Sequence, residues 1–201
     1  MGQYYKPLLI ADDGTKQTAY SHDYGNGLKL MEHSWVGNNF VNAVLANLDG
    51  TPQRLAWIGD YADSVAGEKC PFGGGFINDR ETFMKFFKSV WANENGVKAA
   101  TTIDKDLPEY KLSNEEADCF IVNLTKNCYI DMEKYVAENT DKDKWCINPL
   151  PLLTSVGNGQ GGGDYRGDDP DWDVGSWAFD KIYVTALKPV NMEEVMFHFH
   201  E

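Results

Sequence analysis

Apolar residues along this chain recur with two different periods, and the change of period predicts the elements. In residues 40–48, Phe40, Val41, Val44, Leu45 and Leu48 fall on one helical face. Asn38 or Asn39 stands where an N-terminal cap belongs, and Gly50 where a left-handed C-terminal cap belongs. A second helix is read from Phe83, Phe86, Phe87 and Val90 at i, i+3, i+4 and i+7. Asn78 and Glu81 have capping-box spacing ahead of it, and Gly96 closes it. Residues 132–138 predict a shorter helix.

Strands are expected where β-branched and aromatic residues gather between turn signals. Residues 4–10 open the chain as a strand, which Pro7 assigns to a sheet edge because proline cannot donate to a ladder. The turn signal Asp12-Asp13-Gly14 leads to a returning strand over 15–21. Further strands are expected over 28–32, 54–60 and 176–186. Residues 119–124 and 128–131 predict a hairpin. Pro149 and Pro151 predict extended chain over 145–153. Val195, Phe197 and Phe199 alternate with Met196, His198 and His200 as a last strand. Residues 97–118 read as a polar connection with a short helical piece near Ser113 and Glu116. Together these predict a single α+β domain over residues 1–201, a mainly antiparallel or mixed sheet with two principal helices.

Composition narrows the function classes. At 201 residues, one core can bury roughly 70% of the unfolded surface. Eighteen Lys and Arg against 31 Asp and Glu give a formal charge of −13. Such a balance disfavours direct binding to nucleic acid or to an anionic membrane, both of which need a cationic face. It suits a basic protein partner, metal binding or solubility. Without a signal-like start or a long apolar run, a cytoplasmic protein is expected. Cys70, Cys119, Cys128 and Cys146 lack C-x-x-C spacing, so free thiols in a reducing compartment are expected rather than a zinc ribbon.

The stretch from Gly157 to Gly175 holds seven glycines and five aspartates. Each glycine can take backbone angles closed to other residues, so this ribbon serves either a ligand or a tight backbone crossing. Asp164, Asp168, Asp169, Asp171 and Asp173 are the candidate metal ligands, hard oxygens of the kind Ca²⁺ or Mg²⁺ would take. The spacing lacks the Gly and Glu of an EF-hand. Asp60, Asp63, Asp164, Tyr165, Arg166, Trp172 and His33 are the candidate ligand-binding residues. Asp60 and Asp63 end a predicted strand, where carboxylates serve sites well; Asp60 also suits a turn cap. Trp172 lies between acidic residues. His198 and His200 have the spacing of a strand metal pair, as well as that of a solvated terminal strand. The chain carries no G-x-S-x-G, H-E-x-x-H or Walker motif.

Several blocks act together as a signature: M-G-Q-Y-Y, G-L-K-L-M-E-H-S-W, W-I-G-D-Y-A-D, G-N-G-Q-G-G-G-D-Y-R-G and V-G-S-W-A-F-D-K-I. They resemble a scattered family of uncharacterised small proteins of microbes and some of their viruses. The resemblance implies no activity, cofactor or catalytic residue. It implies that the Gly-Asp-Tyr blocks share one structural theme.

Three functional expectations follow. The first is an intracellular binding protein whose partner is a protein or small ligand, such as an acidic inhibitor, borne by a virus or mobile element, of a basic host protein. The second is a metal-dependent hydrolase using an Asp cluster with Mg²⁺ or Ca²⁺. The third is a structural interaction module in which the Gly ribbon only shapes a crossing. Oligomeric state does not follow from any of them.

Overall fold

A computed structural model describes residues 2–64, 70–91, 100–107, 110–113, 116–141, 145–158, 161–165 and 173–199. Among these residues nine strands form one mixed sheet: β1 (Tyr5–Ile10), β2 (Lys16–Thr18), β3 (Gln53–Gly59), β4 (Thr101–Thr102), β5 (Phe120–Asn123), β6 (Cys128–Asp131), β7 (Ser155–Val156), β8 (Asp180–Thr185) and β9 (Glu193–Glu194). Their order is β4-β2-β1-β3-β8-β5-β6-β9, with β7 also on β3. The helices are α1 (Asn39–Leu48), α2 (Arg80–Trp91), α3 (Met132–Asn139) and α4 (Pro149–Leu153). The architecture is a single α+β domain.

β3 is the spine. One edge pairs Arg54–Gly59 with all of β1; the other is shared, Gln53–Leu55 with β8 and Trp57–Ile58 with β7. Alternation along β3 fills both sheet faces. Leu55 and Trp57 join Leu9, α1, α3 and α4 in the larger core. Ala56 and Ile58 join Leu8, Ile10 and Phe83 of α2 in the smaller one on the opposite face.

Asn38 caps α1 by accepting from the amides of Phe40 at 2.9 Å and Val41 at 3.2 Å, an arrangement that typically stabilises by about 1 kcal/mol. Asp79, rather than Asn78, opens α2. Its carboxylate takes the Thr82 amide at 2.7 Å and hydroxyl at 2.8 Å. Asn123 and Cys128 close the expected hairpin around a four-residue turn, 124–127.

Several expectations are corrected. β1 is interior, not an edge. Pro7 is accommodated because β2 pairs only Leu8–Ile10 of it. The Trp57 amide points away from β1, to the Thr154 carbonyl at 2.8 Å. Its cross-strand partner Pro7 therefore turns its nitrogen away from β3, where no donor is needed. Residues 30–32 form a 3₁₀ turn rather than a strand, because the Glu32 carboxylate reaches back to the Lys29 amide at 3.1 Å. Residues 149–153 are helical despite their prolines. Both lie in the first turn, where amides have no intrahelical acceptor, and Asn148 caps the Leu150 amide at 3.0 Å. β8 starts only at Asp180, because Phe179 takes a left-handed φ of 60°. Among the described residues of the C-terminal end, Glu193–Glu194 pair in the sheet and Phe199 is buried without continuing the strand. The Glu116 amide donates to the Ser113 hydroxyl at 3.0 Å, and the short helical piece expected between them lies outside the described residues.

Candidate functional site

The Gly ribbon wraps the start of the chain. Gln3, fully buried, donates to Asn158 Oδ1 at 3.0 Å and Asp164 Oδ2 at 2.9 Å, and its own carbonyl oxygen accepts the Asn158 amide at 3.2 Å. Asp164 Oδ2 also accepts the Gly161 amide at 3.2 Å. The Tyr5 hydroxyl bonds to Asp164; burial first, then the charge of Asp164, push this phenol well up. Two glycines are dictated by space. A Cβ on Gly157 would sit 2.1 Å from the Tyr5 hydroxyl, and one on Gly161 2.6 Å from the Gln3 amide nitrogen. This part of the ribbon is a backbone crossing, and Asp164 is a buried acceptor at its centre.

The other candidates are dispersed. Asp60 Oδ1 accepts the Tyr4 amide at 3.0 Å, tying off the end of β3. Asp63 lies in a 3₁₀ turn and lends its backbone carbonyl to Arg80 at 3.2 Å. Tyr165 packs edge-to-face on Phe199 with centroids 5.6 Å apart. Asp173 is exposed and its carbonyl accepts the Ser176 amide at 3.0 Å. His33 is wholly buried, with both ring nitrogens engaged: Nδ1 with the Gly27 carbonyl at 3.1 Å and Nε2 with Trp57 Nε1 at 3.0 Å. No ring nitrogen is left for a ligand. His198 Nδ1 meets Asn139 Oδ1 at 3.2 Å. Arg166, Asp168, Asp169, Asp171, Trp172 and His200 lie outside the described residues. Among the described residues no group of three or more His, Cys, Asp or Glu is arranged to hold a metal ion.

A different place gathers chemistry. On the α2 side of the sheet, a cleft of about 470 Å³ opens between the β1–β2 turn and α2. Sheet register builds its floor. Lys16 pairs with Ile10, Ile10 with Arg54, and Arg54 with Lys181. Directly paired residues share a face, so three cations stand in one row across four strands. α2 adds Lys85 and Phe86, and the preceding loop adds Phe76.

Arg54 is the best-fixed of these groups. Its Nη1 donates to the carbonyls of Phe179 at 3.0 Å and Gly73 at 3.3 Å. Its guanidinium carbon lies 4.0 Å from the centroid of the Phe76 ring, a favourable cation–aromatic distance. Burial lowers its pKa, with the charges of Asp180 and Asp12 opposing. The left-handed Phe179, a rare conformation for a bulky residue, supplies one of the gripping carbonyls. Gly73, also left-handed, lies so close that a Cβ would meet the same carbonyl at 2.3 Å. One Arg54 nitrogen is thus held by protein, and its remaining donors have no carboxylate within ion-pair distance among the described residues.

The neighbouring cations differ in how they are balanced. Lys181 pairs with Asp12 at 2.7 Å, and Lys85 with Glu81 at 3.2 Å. Lys16 lies over Phe86 at 5.7 Å and has no carboxylate partner among the described residues. Like charges paired across strands destabilise a sheet by a few tenths of a kcal/mol or more. A chain with 31 acidic residues nevertheless places its cations side by side here.

No Lys or Arg run marks this cleft in the sequence; its lining cations Lys16, Arg54 and Lys85 come from three distant segments. The local signal was the C-P-F-G-G-G-F loop, whose glycines at 73, 74 and 75 all take left-handed angles. Among the described residues no helix is long and apolar enough to cross a membrane. Comparison of the chain with protein-family models, curated proteins and solved structures finds no match.

Proposed function

We propose that the protein acts by binding, and that it takes a small anionic ligand in the Arg54 cleft. The observation that carries this reading is the row Lys16–Arg54–Lys181 in a chain of net charge −13. Clustered cations raise the local positive potential, and a concave wall of low dielectric strengthens it. Arg54 is preorganised by two carbonyls and a ring, so little side-chain freedom is lost when a ligand arrives. The cleft volume falls in the range of small-molecule sites.

The test is a titration of ¹⁵N-labelled protein with benzoate, sulfate and phenyl phosphate in low-salt buffer. The reading expects saturable shifts for at least one of them, centred on Lys16, Arg54 and Phe86. Shifts that never saturate, or that scatter over the surface, would refute it.

A second reading rests on the charge itself. With 13 more acidic than basic groups, the outer surface suits a basic protein partner, as expected for an acidic inhibitor of a nucleic-acid-binding protein. Such a complex should associate more slowly as salt is raised. An on-rate indifferent to ionic strength would remove this reading.

A further inference from the structure

The balance of charge in the cleft narrows its ligand. Lys16, Arg54 and Lys85 line it together with Asp12, and Lys181 adjoins Arg54 in the sheet; Lys181 is paired with Asp12 and Lys85 with Glu81. Lys16 and Arg54 have no ion-pair partner among the described residues. A carboxylate or sulfonate would balance one of them and leave the other bare. A group carrying two negative charges on adjacent oxygens would balance both.

The donors are of two kinds. Arg54 presents the flat edge of a guanidinium whose position is fixed, whereas Lys16 presents a mobile point charge on a strand near the sheet edge. That combination suits a tetrahedral oxyanion, gripped on one side by the fork and neutralised from the other by an ammonium. At the rim, Phe86 is half-buried and Phe76 is 37% exposed, their centroids 5.7 Å apart. These rings offer apolar contact to whatever carries the anion.

We infer that the cleft recognises a phosphate monoester in its dianionic form, borne on a small organic body that rests against Phe76 and Phe86. This rests on the proposed anion-binding role of the same cleft. The monoester's second ionisation lies near pH ~6, so the dianion predominates at neutral pH.

Isothermal titration separates the two claims with four probes: phenyl phosphate, methyl phenyl phosphate, inorganic phosphate and benzoate. Phenyl phosphate should bind at least about tenfold tighter at pH 7.5 than methyl phenyl phosphate, which has the same ring but a single charge. Its affinity should fall about tenfold between pH 7.5 and pH 5. Inorganic phosphate should bind about tenfold more weakly than phenyl phosphate, for want of the ring.

Lys16→Ala alters a half-buried side chain on a short strand. It should weaken phenyl phosphate more than methyl phenyl phosphate and so remove most of the preference for monoester over diester; equal weakening of the two would count against the dianion claim. If diester or benzoate matches the monoester, the dianion claim is overturned and the anion cleft stands. If inorganic phosphate matches phenyl phosphate, the organic body is struck out. If no probe saturates, both readings fail together.

Discussion

Trp57 donates its indole N–H to His33 Nε2 at 3.0 Å, inside a core where neither side chain meets solvent. The Gly27 carbonyl can only accept, so the proton of His33 sits on Nδ1 and the imidazole is neutral. Protonating Nε2 would break the bond to Trp57 and bury an uncompensated charge. Burial accordingly lowers the His33 pKa to about 4. In the unfolded chain histidine titrates near ~6.5, so the unfolded state binds more protons through this window. Stability from His33 is therefore complete above pH ~6.5 and is lost as pH falls toward 4, by about 3 kcal/mol. Urea unfolding at pH 7 and pH 4 measures it, with His33→Gln as the non-titrating comparison. The variant should be less stable at pH 7, yet should lose less on acidification. Parallel pH curves for the two proteins would show that His33 does not carry the effect.

Two neighbouring glycines make a sharp comparison in the ribbon. A Cβ at Gly161 would stand 2.6 Å from the backbone nitrogen of Gln3, whereas at Gly162 the nearest atom is 3.9 Å away. Gly161→Ala must push the first strand off the ribbon and strain the Gln3–Asp164 hydrogen bond, a loss of about 2 kcal/mol or more. Gly162→Ala should change stability by less than about 1 kcal/mol and could raise it through the entropy of the unfolded chain. Thermal melting of the pair decides. Equal melting temperatures would mean that the crossing is not closely packed.

All four cysteines are buried free thiols. Burial pushes Cys119, Cys128 and Cys146 up to about 11, and moves Cys70 upward as well. Reaction requires the thiolate, which at pH 8 is then only about one part in a thousand at those three sites. Ellman's reagent should therefore label the native protein slowly and reach four equivalents promptly in denaturant. Rapid labelling of any thiol in the native state would contradict this packing.

Much of the scaffold was legible because period reports burial. The helical face of Phe40, Val41, Val44, Leu45 and Leu48 is wholly buried, and the hairpin around residues 124–127 formed in place. The errors share a cause in tertiary context. Pro7 signals an edge in the sequence, because a short neighbour that stops at Leu8 is invisible in one strand's own residues. Pro149 and Pro151 signal extended chain because proline is usually a breaker, and the cap from Asn148 sets the first-turn exception. Gly157 and Gly161 announced a close approach without saying to what, and the answer, Gln3 and Tyr5, lies at the other end of the chain. The cleft was hidden most completely. Its cations become neighbours only through strand register, and register is a property of pairs of segments.

Gly73 links that register to binding. Alanine there would place a Cβ 2.3 Å from the Phe179 carbonyl, at a φ of +56°. The same carbonyl holds Arg54 Nη1 at 3.0 Å. Relief of the clash must move the carbonyl or the loop, and either movement frees the guanidinium from its fixed plane. Gly75 lies two residues on with a φ of +90° and open space around it. Alanine at that position meets no neighbour and costs only the left-handed strain, about 1–2 kcal/mol. Gly73→Ala should therefore melt several degrees lower and bind phenyl phosphate at least about tenfold more weakly. Gly75→Ala should keep affinity within about twofold, whatever its stability. Because both glycines belong to one loop, a general loosening would weaken binding in both variants alike. That result would detach Arg54 preorganisation from recognition, whereas loss confined to Gly73→Ala ties the two together.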